Sequence, residues 1–177
     1  MPNTYVKIAS VTVGSGGVST VSFSSIPQTG YTDLLVKYSA KSSSTASWYD
    51  NLLMTFNGVG SAYSFVRGIG IGSGTSTDGP FTSQSVIYAG EIQASGGGIT
   101  ASTFSNTEIY IPNYTSSNNK SLSIDKTLEN NSTSNNILGF VAASWSNTAA
   151  ITSITFSAAG GNLTEFSTFY LYGIKNS

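Results

Sequence analysis

The chain of 177 residues contains no cysteine and no histidine. Without thiols there is no disulfide to staple the fold and no thiolate nucleophile, and the redox compartment is left open. The missing imidazole removes the commonest general base and the commonest transition-metal ligand together. Charge is scarce too. Seven basic and 8 acidic residues make up 8% of the chain and leave a net charge of -1, against about 25% charged residues in an ordinary soluble domain. Such a surface has little long-range field with which to attract phosphate or anionic lipid, so neither nucleic acid nor membrane is an expected partner. The opening residues, MPNTYVKIASVTVGSGG, lack the apolar core of about 7–15 residues that a signal peptide needs, and no stretch approaches the ~20 apolar residues of a membrane span. A soluble chain without a standard export signal is expected.

In place of charge, roughly three residues in ten are Ser or Thr, with 19 Gly, 10 Tyr and 9 Phe. The length suits one domain with a real core, taken as 1–177. Apolar residues recur at a period of two, not at i, i+3, i+4 and i+7, so the chain reads as strands with no long helix. Strands are expected at 5–13, 19–26, 33–42, 51–56, 63–67, 84–93, 103–111, 122–128, 136–145, 150–156 and 167–174. Asn57-Gly58, the strongest hairpin signal, joins the fourth strand to the fifth in this reading. The glycine-dense segment 68–80 reads as a long irregular loop. The expected fold is all-β: an antiparallel β-sandwich, jelly-roll-like.

The closing stretch, STFYLYGI, organises the functional reading. Phe169, Leu171 and Gly173 alternate with Thr168, Tyr170, Tyr172 and Ile174, so neither side is built for bare water. A second aromatic face asks for a cover, and Tyr170, Tyr172 and Ile174 are the candidate contact residues for another subunit or a larger assembly.

Evidence for chemistry is thin. The eight carboxylates include no pair at i, i+2 on one strand, so a glycosidase pair is not expected. Glu129 with Asn130 and Asn131, and Asp78 beside Gly79, lack the spacing of a calcium loop, and solvated loop carboxylates explain them better. No metal, cofactor or catalytic residue is assigned, and the chain is expected not to be an enzyme. Trp48, Tyr49 and Tyr63 fall near loop ends and are of the types that stack on sugar rings, which makes them candidate carbohydrate contacts; the competing reading is that they close the end of a sandwich.

Two stretches, VSTVSFSSIPQTGYTDLLVKYSAKS at 18–42 and FSTFYLYGIKNS at 166–177, together resemble β domains of tailed-bacteriophage and cyanophage virions, the capsid decoration (cement) proteins and tail-fibre domains. The resemblance implies a jelly-roll-like sandwich that acts as a homo-oligomer, a trimer, in the virion. Its partners would be the major capsid protein or other virion proteins. The family offers no catalytic motif to carry across. Capsid decoration is the leading expectation, and a tail-fibre, receptor-binding or carbohydrate-binding domain is the alternative.

Overall fold

A computed structural model describes residues 4–72, 74–97, 100, 102–132 and 134–175. The described residues form twelve strands: β1 (Tyr5–Thr12), β2 (Thr20–Phe23), β3 (Asp33–Ala40), β4 (Tyr49–Phe56), β5 (Tyr63–Ile71), β6 (Gly74–Gln84), β7 (Ile87–Gln93), β8 (Ser105–Ile111), β9 (Lys120–Leu128), β10 (Ile137–Trp145), β11 (Ile154–Ala158) and β12 (Thr168–Ile174). All the strand pairings are antiparallel. They build an eight-stranded sheet, β1-β12-β3-β8-β9-β10-β5-β6, and a four-stranded sheet, β2-β11-β4-β7.

The pairing is nested. β1 pairs with β12, β2 with β11, β3 with β8 and β4 with β7, while β12 also pairs with β3 and β11 with β4. The first and last parts of the chain therefore run alongside each other and fold over into two layers. Two hairpins interrupt the nest, β5-β6 between β4 and β7, and β9-β10 between β8 and β11, and both join the large sheet beyond β8.

Alternation explains which residues lie between the layers. β9 reads buried and exposed in strict turn from Lys120 to Leu128, and β8 does the same from Ser105 to Ile111. The core joins Leu34, Val36, Ile109, Ile124 and Leu171 of the large sheet to Leu52, Met54, Ile87, Ile154 and Phe156 of the small one. Tyr38, Phe156 and Phe169 pack with ring centroids 5.3–6.2 Å apart, spacings typical of favourable aromatic pairs. At one end Trp145 stacks on Tyr63 at 6.1 Å and meets Phe56 at 5.5 Å. On β12 the missing side chain of Gly173 makes room for Tyr31, whose ring would lie 2.4 Å from an added Cβ.

Three elements differ from the sequence-based expectation. The Asn57-Gly58 turn forms, with positive φ at both residues and Val59 N donating to Phe56 O at 2.9 Å, but β4 and β5 do not pair. The turn passes the chain from the small sheet to the large one. Asn57 Oδ1 accepts from the Thr152 and Ser153 amides, its Nδ2 donates to Ala150 O at 2.8 Å, and the Tyr63 hydroxyl anchors the far end to Phe56 and Val59. Those same amides are then unavailable to a ladder, which is why the expected strand at 150–156 begins only at Ile154. Of the segment expected as a loop, residues 68–71 and 74–80 are strand in the β5-β6 hairpin, and Ser73 lies outside the described residues. Gly68 serves close approach: a Cβ there would stand 2.6 Å from the Phe140 ring, which occupies that space.

The buried phenols make the fold sensitive to alkali. Burial raises the pKa of Tyr38, Tyr63 and Tyr114, and the hydrogen bond to Asp33 raises that of Tyr110. A raised phenol keeps its proton in the folded chain after the unfolded chain has lost it, so its contribution is complete below the ordinary value of 10.0 and drains away above it. Lys120 and Lys126, both lowered by burial, oppose this below their ordinary 10.5, but two such groups stand against four. Stability to urea should therefore fall as pH rises above about 10, and the slope should flatten in Tyr38→Phe. A wild-type stability that holds constant through that range would contradict the assignment.

Candidate functional site

The small sheet covers one face of the large sheet; no element of the described residues covers the other. Cross-strand register places its side chains in rows. One row crosses all eight strands: Ser10, Tyr170, Lys37, Glu108, Asp125, Phe140, Gly68 and Thr77. A neighbouring row holds Lys7, Tyr172, Leu35, Tyr110, Ser123, Ala142 and Val66. The row on the other side holds Thr12, Thr168, Ser39, Asn106, Thr127, Leu138, Gly70 and Thr75.

The rows divide the face into two ends. At the β1-β12-β3-β8 end, Tyr5, Tyr110 and Tyr172 surround Leu35, and Tyr170 and Tyr172 stack at 6.4 Å. The tyrosines leave Leu35 only 6% exposed. At the β10-β5-β6 end lies a hollow of about 640 Å³, lined by Gly68, Gly70, Gly139, Leu138, Phe140 and the 75–77 segment. Leu138 is 63% exposed and Phe140 56%. Between the ends runs a charged strip in which Lys37 bonds Glu108 at 2.7 Å. That pair is half exposed and worth at most about 1 kcal/mol. Across the strands Glu108 faces Asp125, and among the described residues Asp125 has no basic partner.

The residues singled out from the sequence fall in different places. Tyr170 and Tyr172 lie half-buried on this open face, held by each other and by neighbouring strands. Ile174 shares their side of β12 but is only 7% exposed; the chain's own packing has taken it, and it leaves the contact surface. Trp48 and Tyr49 form a half-buried edge-to-face pair at 4.9 Å, on the other sheet and away from the tyrosine end. Tyr63 is corrected outright. It is fully buried between Phe56 and Trp145, with its hydroxyl bonded to backbone, so no ring face is left for a sugar.

Sequence reasoning missed Leu138, Phe140 and Val66, although the signal it used for β12 is also present in β10. Ile137, Val141 and Ala143 alternate with Leu138, Phe140 and Ala142, so that strand too is apolar on both sides. It also missed the Glu108–Asp125 neighbourhood, because those residues meet across strands and not along one. Asp78 binds Arg67, and Glu129 accepts from the Asn131 amide. No group of three or more acidic side chains converges in a way that could hold a metal among the described residues.

A second concentration of charge is internal. Glu91 of β7 receives Arg67 of β5 at 3.2 Å and Lys126 of β9 on its other oxygen. Arg67 continues to Asp78 at 2.6 Å, with its guanidinium 5.4 Å from the Tyr88 ring centre and 5.7 Å from that of Phe81. Glu91 and Lys126 are almost wholly buried. Burial holds the Lys126 ammonium below its ordinary range, with Glu91 pulling the other way. Both oxygens of Glu91 are taken within the cluster. It ties the small sheet to the added strands of the large one.

Comparison of the chain with protein-family models, curated proteins and solved structures returns no match.

The internal cluster makes a sharp prediction. Glu91→Gln leaves Lys126 and one side of Arg67 as uncompensated buried charge and should cost about 3–5 kcal/mol in urea denaturation. Glu91→Leu combined with Lys126→Met should recover most of that loss. A Glu91→Gln loss below about 1 kcal/mol would be no more than a surface pair contributes and would remove the cluster from its holding role.

Proposed function

We propose that the protein is a non-catalytic structural subunit that assembles through the outer face of its eight-stranded sheet. The observation that carries this is the open face itself: apolar side chains at both ends and a single unpaired carboxylate near its centre, with no layer of the described chain over it. Surfaces of that composition and extent are characteristic of contact sites. The nested strand order, with its two added hairpins, supports the jelly-roll-like reading that we adopt from residues 18–42 and 166–177.

Among structural roles we favour a capsid decoration protein of a tailed phage, located in the virion as a homo-oligomer, a trimer, and seated on the major capsid protein. The resemblance of the two terminal stretches supports the phage assignment. The weak charge and hydroxyl-rich surface suit a lattice protein that gains its hold from many modest contacts at once. Light scattering on the purified chain should return a mass above the 18.4 kDa of one copy. Electron microscopy of intact particles should then place density for it on the capsid shell. A strictly monomeric chain would end the assembly reading, and density confined to a fibre would replace the capsid station with the tail.

A receptor- or carbohydrate-binding domain is the second reading, favoured by one feature, the half-exposed Trp48–Tyr49 pair. A glycan array should give signal that Trp48→Ala abolishes. An array without hits would leave that reading without support.

A further inference from the structure

We propose that the hollow at the β10-β5-β6 end of the open face is the seat for the tyrosine end of a second copy of this chain. The inference rests on the assembly reading and deepens it by naming the two surfaces that meet.

The two ends are complementary in shape. Gly70 leaves its outward position without a side chain, and Leu138 and Phe140 stand beside the resulting floor, with the Phe140 ring lying over Gly68. Flat rings fit such a floor, because a backbone without Cβ lets an aromatic face approach closely. The opposite end of the same face presents four phenols, Tyr5, Tyr110, Tyr170 and Tyr172, none of them fully buried. Tyrosine is among the residues that most often anchor an interface, since a large rigid ring buries much area at little entropic cost.

They are also complementary in charge. Lys7, opposite Tyr172 at the tyrosine end, has no acidic partner among the described residues, and Asp125, opposite Phe140 beside the hollow, has no basic one. Apposing unlike ends brings these two charges toward each other, whereas apposing like ends sets lysine against lysine or aspartate against aspartate. The unpaired charges thus select tyrosine end on hollow.

The area is sufficient. Eight strands about 4.8 Å apart and about 25 Å long present a face on the order of 850 Å², close to the roughly 800 Å² per partner of a standard stable interface.

The test uses two variant classes of the full chain. Gly70→Arg fills the hollow from its floor. An added Cβ there meets nothing closer than 3.7 Å and the backbone is not in the left-handed region, so the fold should tolerate it. Thr77→Arg blocks the hollow from its exposed β6 side, and Gly70→Ala serves as the control that leaves it open. Tyr170→Ser with Tyr172→Ser removes the opposing rings. Each blocking variant, folded by near-ultraviolet circular dichroism, should weaken self-association by about thirty-fold or more, the effect of losing a central aromatic anchor. Gly70→Ala should assemble like wild type. Mixing Gly70→Arg chains with the double tyrosine variant should restore association between the two, since one supplies intact tyrosines and the other an intact hollow. Wild-type assembly that both folded hollow variants leave unchanged would overturn this inference while sparing the assembly reading, as would a mixture in which the two blocked variants ignore each other. A monomeric wild type would overturn both.

Discussion

The buried carboxylate of Glu91 is the contact on which the shape of the molecule depends. The large sheet has twice as many strands as the small one, so the small sheet alone leaves β9, β10, β5 and β6 without a full cover. β7, at the edge of the small sheet, lies against β8, β9, β10 and β5, and Glu91 extends from it to cations on two of them. Buried ion pairs contribute little net stability, because desolvation offsets most of their attraction. They are costly to break, however, and that asymmetry gives them value as register pins. With its two oxygens committed to Arg67 and Lys126, Glu91 accepts one placement of the added strands and penalises others. Gly90 beside it admits the Tyr38 hydroxyl and the Lys126 chain, which would lie 2.8 and 3.4 Å from an added Cβ.

Widening the sheet has a consequence on the other side. Each added strand that finds cover on the inner face also presents an outer face, and nothing in the described chain folds back over those outer faces. A strand exposed to water on one side ordinarily alternates apolar with polar residues. β9 does so, with Ser121, Ser123, Asp125 and Thr127 outward, and β8 does so over Asn106 and Glu108 before Tyr110 joins the tyrosine end. β12 and β10 do not, and they lie on either side of that polar middle. The open face is therefore apolar at both ends and polar across its centre, a layout in which position along the face carries information that uniform greasiness would not.

Much of the fold was legible in the sequence because it follows from local alternation. The strands at 5–12, 33–40, 105–111 and 137–145 announce themselves by period-two patterns bounded by glycine, proline or polar runs. The misreadings share one cause. Asn57-Gly58 has the chemistry of a hairpin turn and adopts its backbone, yet the strands it joins belong to different sheets because Tyr63 finds a better place against Trp145. Gly68, Gly70 and Gly74 look like loop, yet they lie in strands, and at Gly68 a ring from β10 fills the space that a side chain would otherwise take. Tyr63 was a candidate sugar contact because sequence places it near a turn, and tertiary packing buried it against Phe56 and Trp145, the end-closing role that was the competing reading.

What the amino-acid order determined by itself is the class of structure and the narrowness of its chemistry: all-β, short strands, no thiol, no imidazole, few charges, and a closing strand with no side suited to water. Those properties follow from residue types and their spacing, which no folding can change. Tertiary structure alone decided which strands share a sheet, that Glu91, Arg67 and Lys126 meet across 59 positions of chain, and that tyrosines near both termini share a face with a glycine floor from the middle. Such pairings depend on long-range closure, where many registers are locally acceptable and only the combined burial of the whole core selects one.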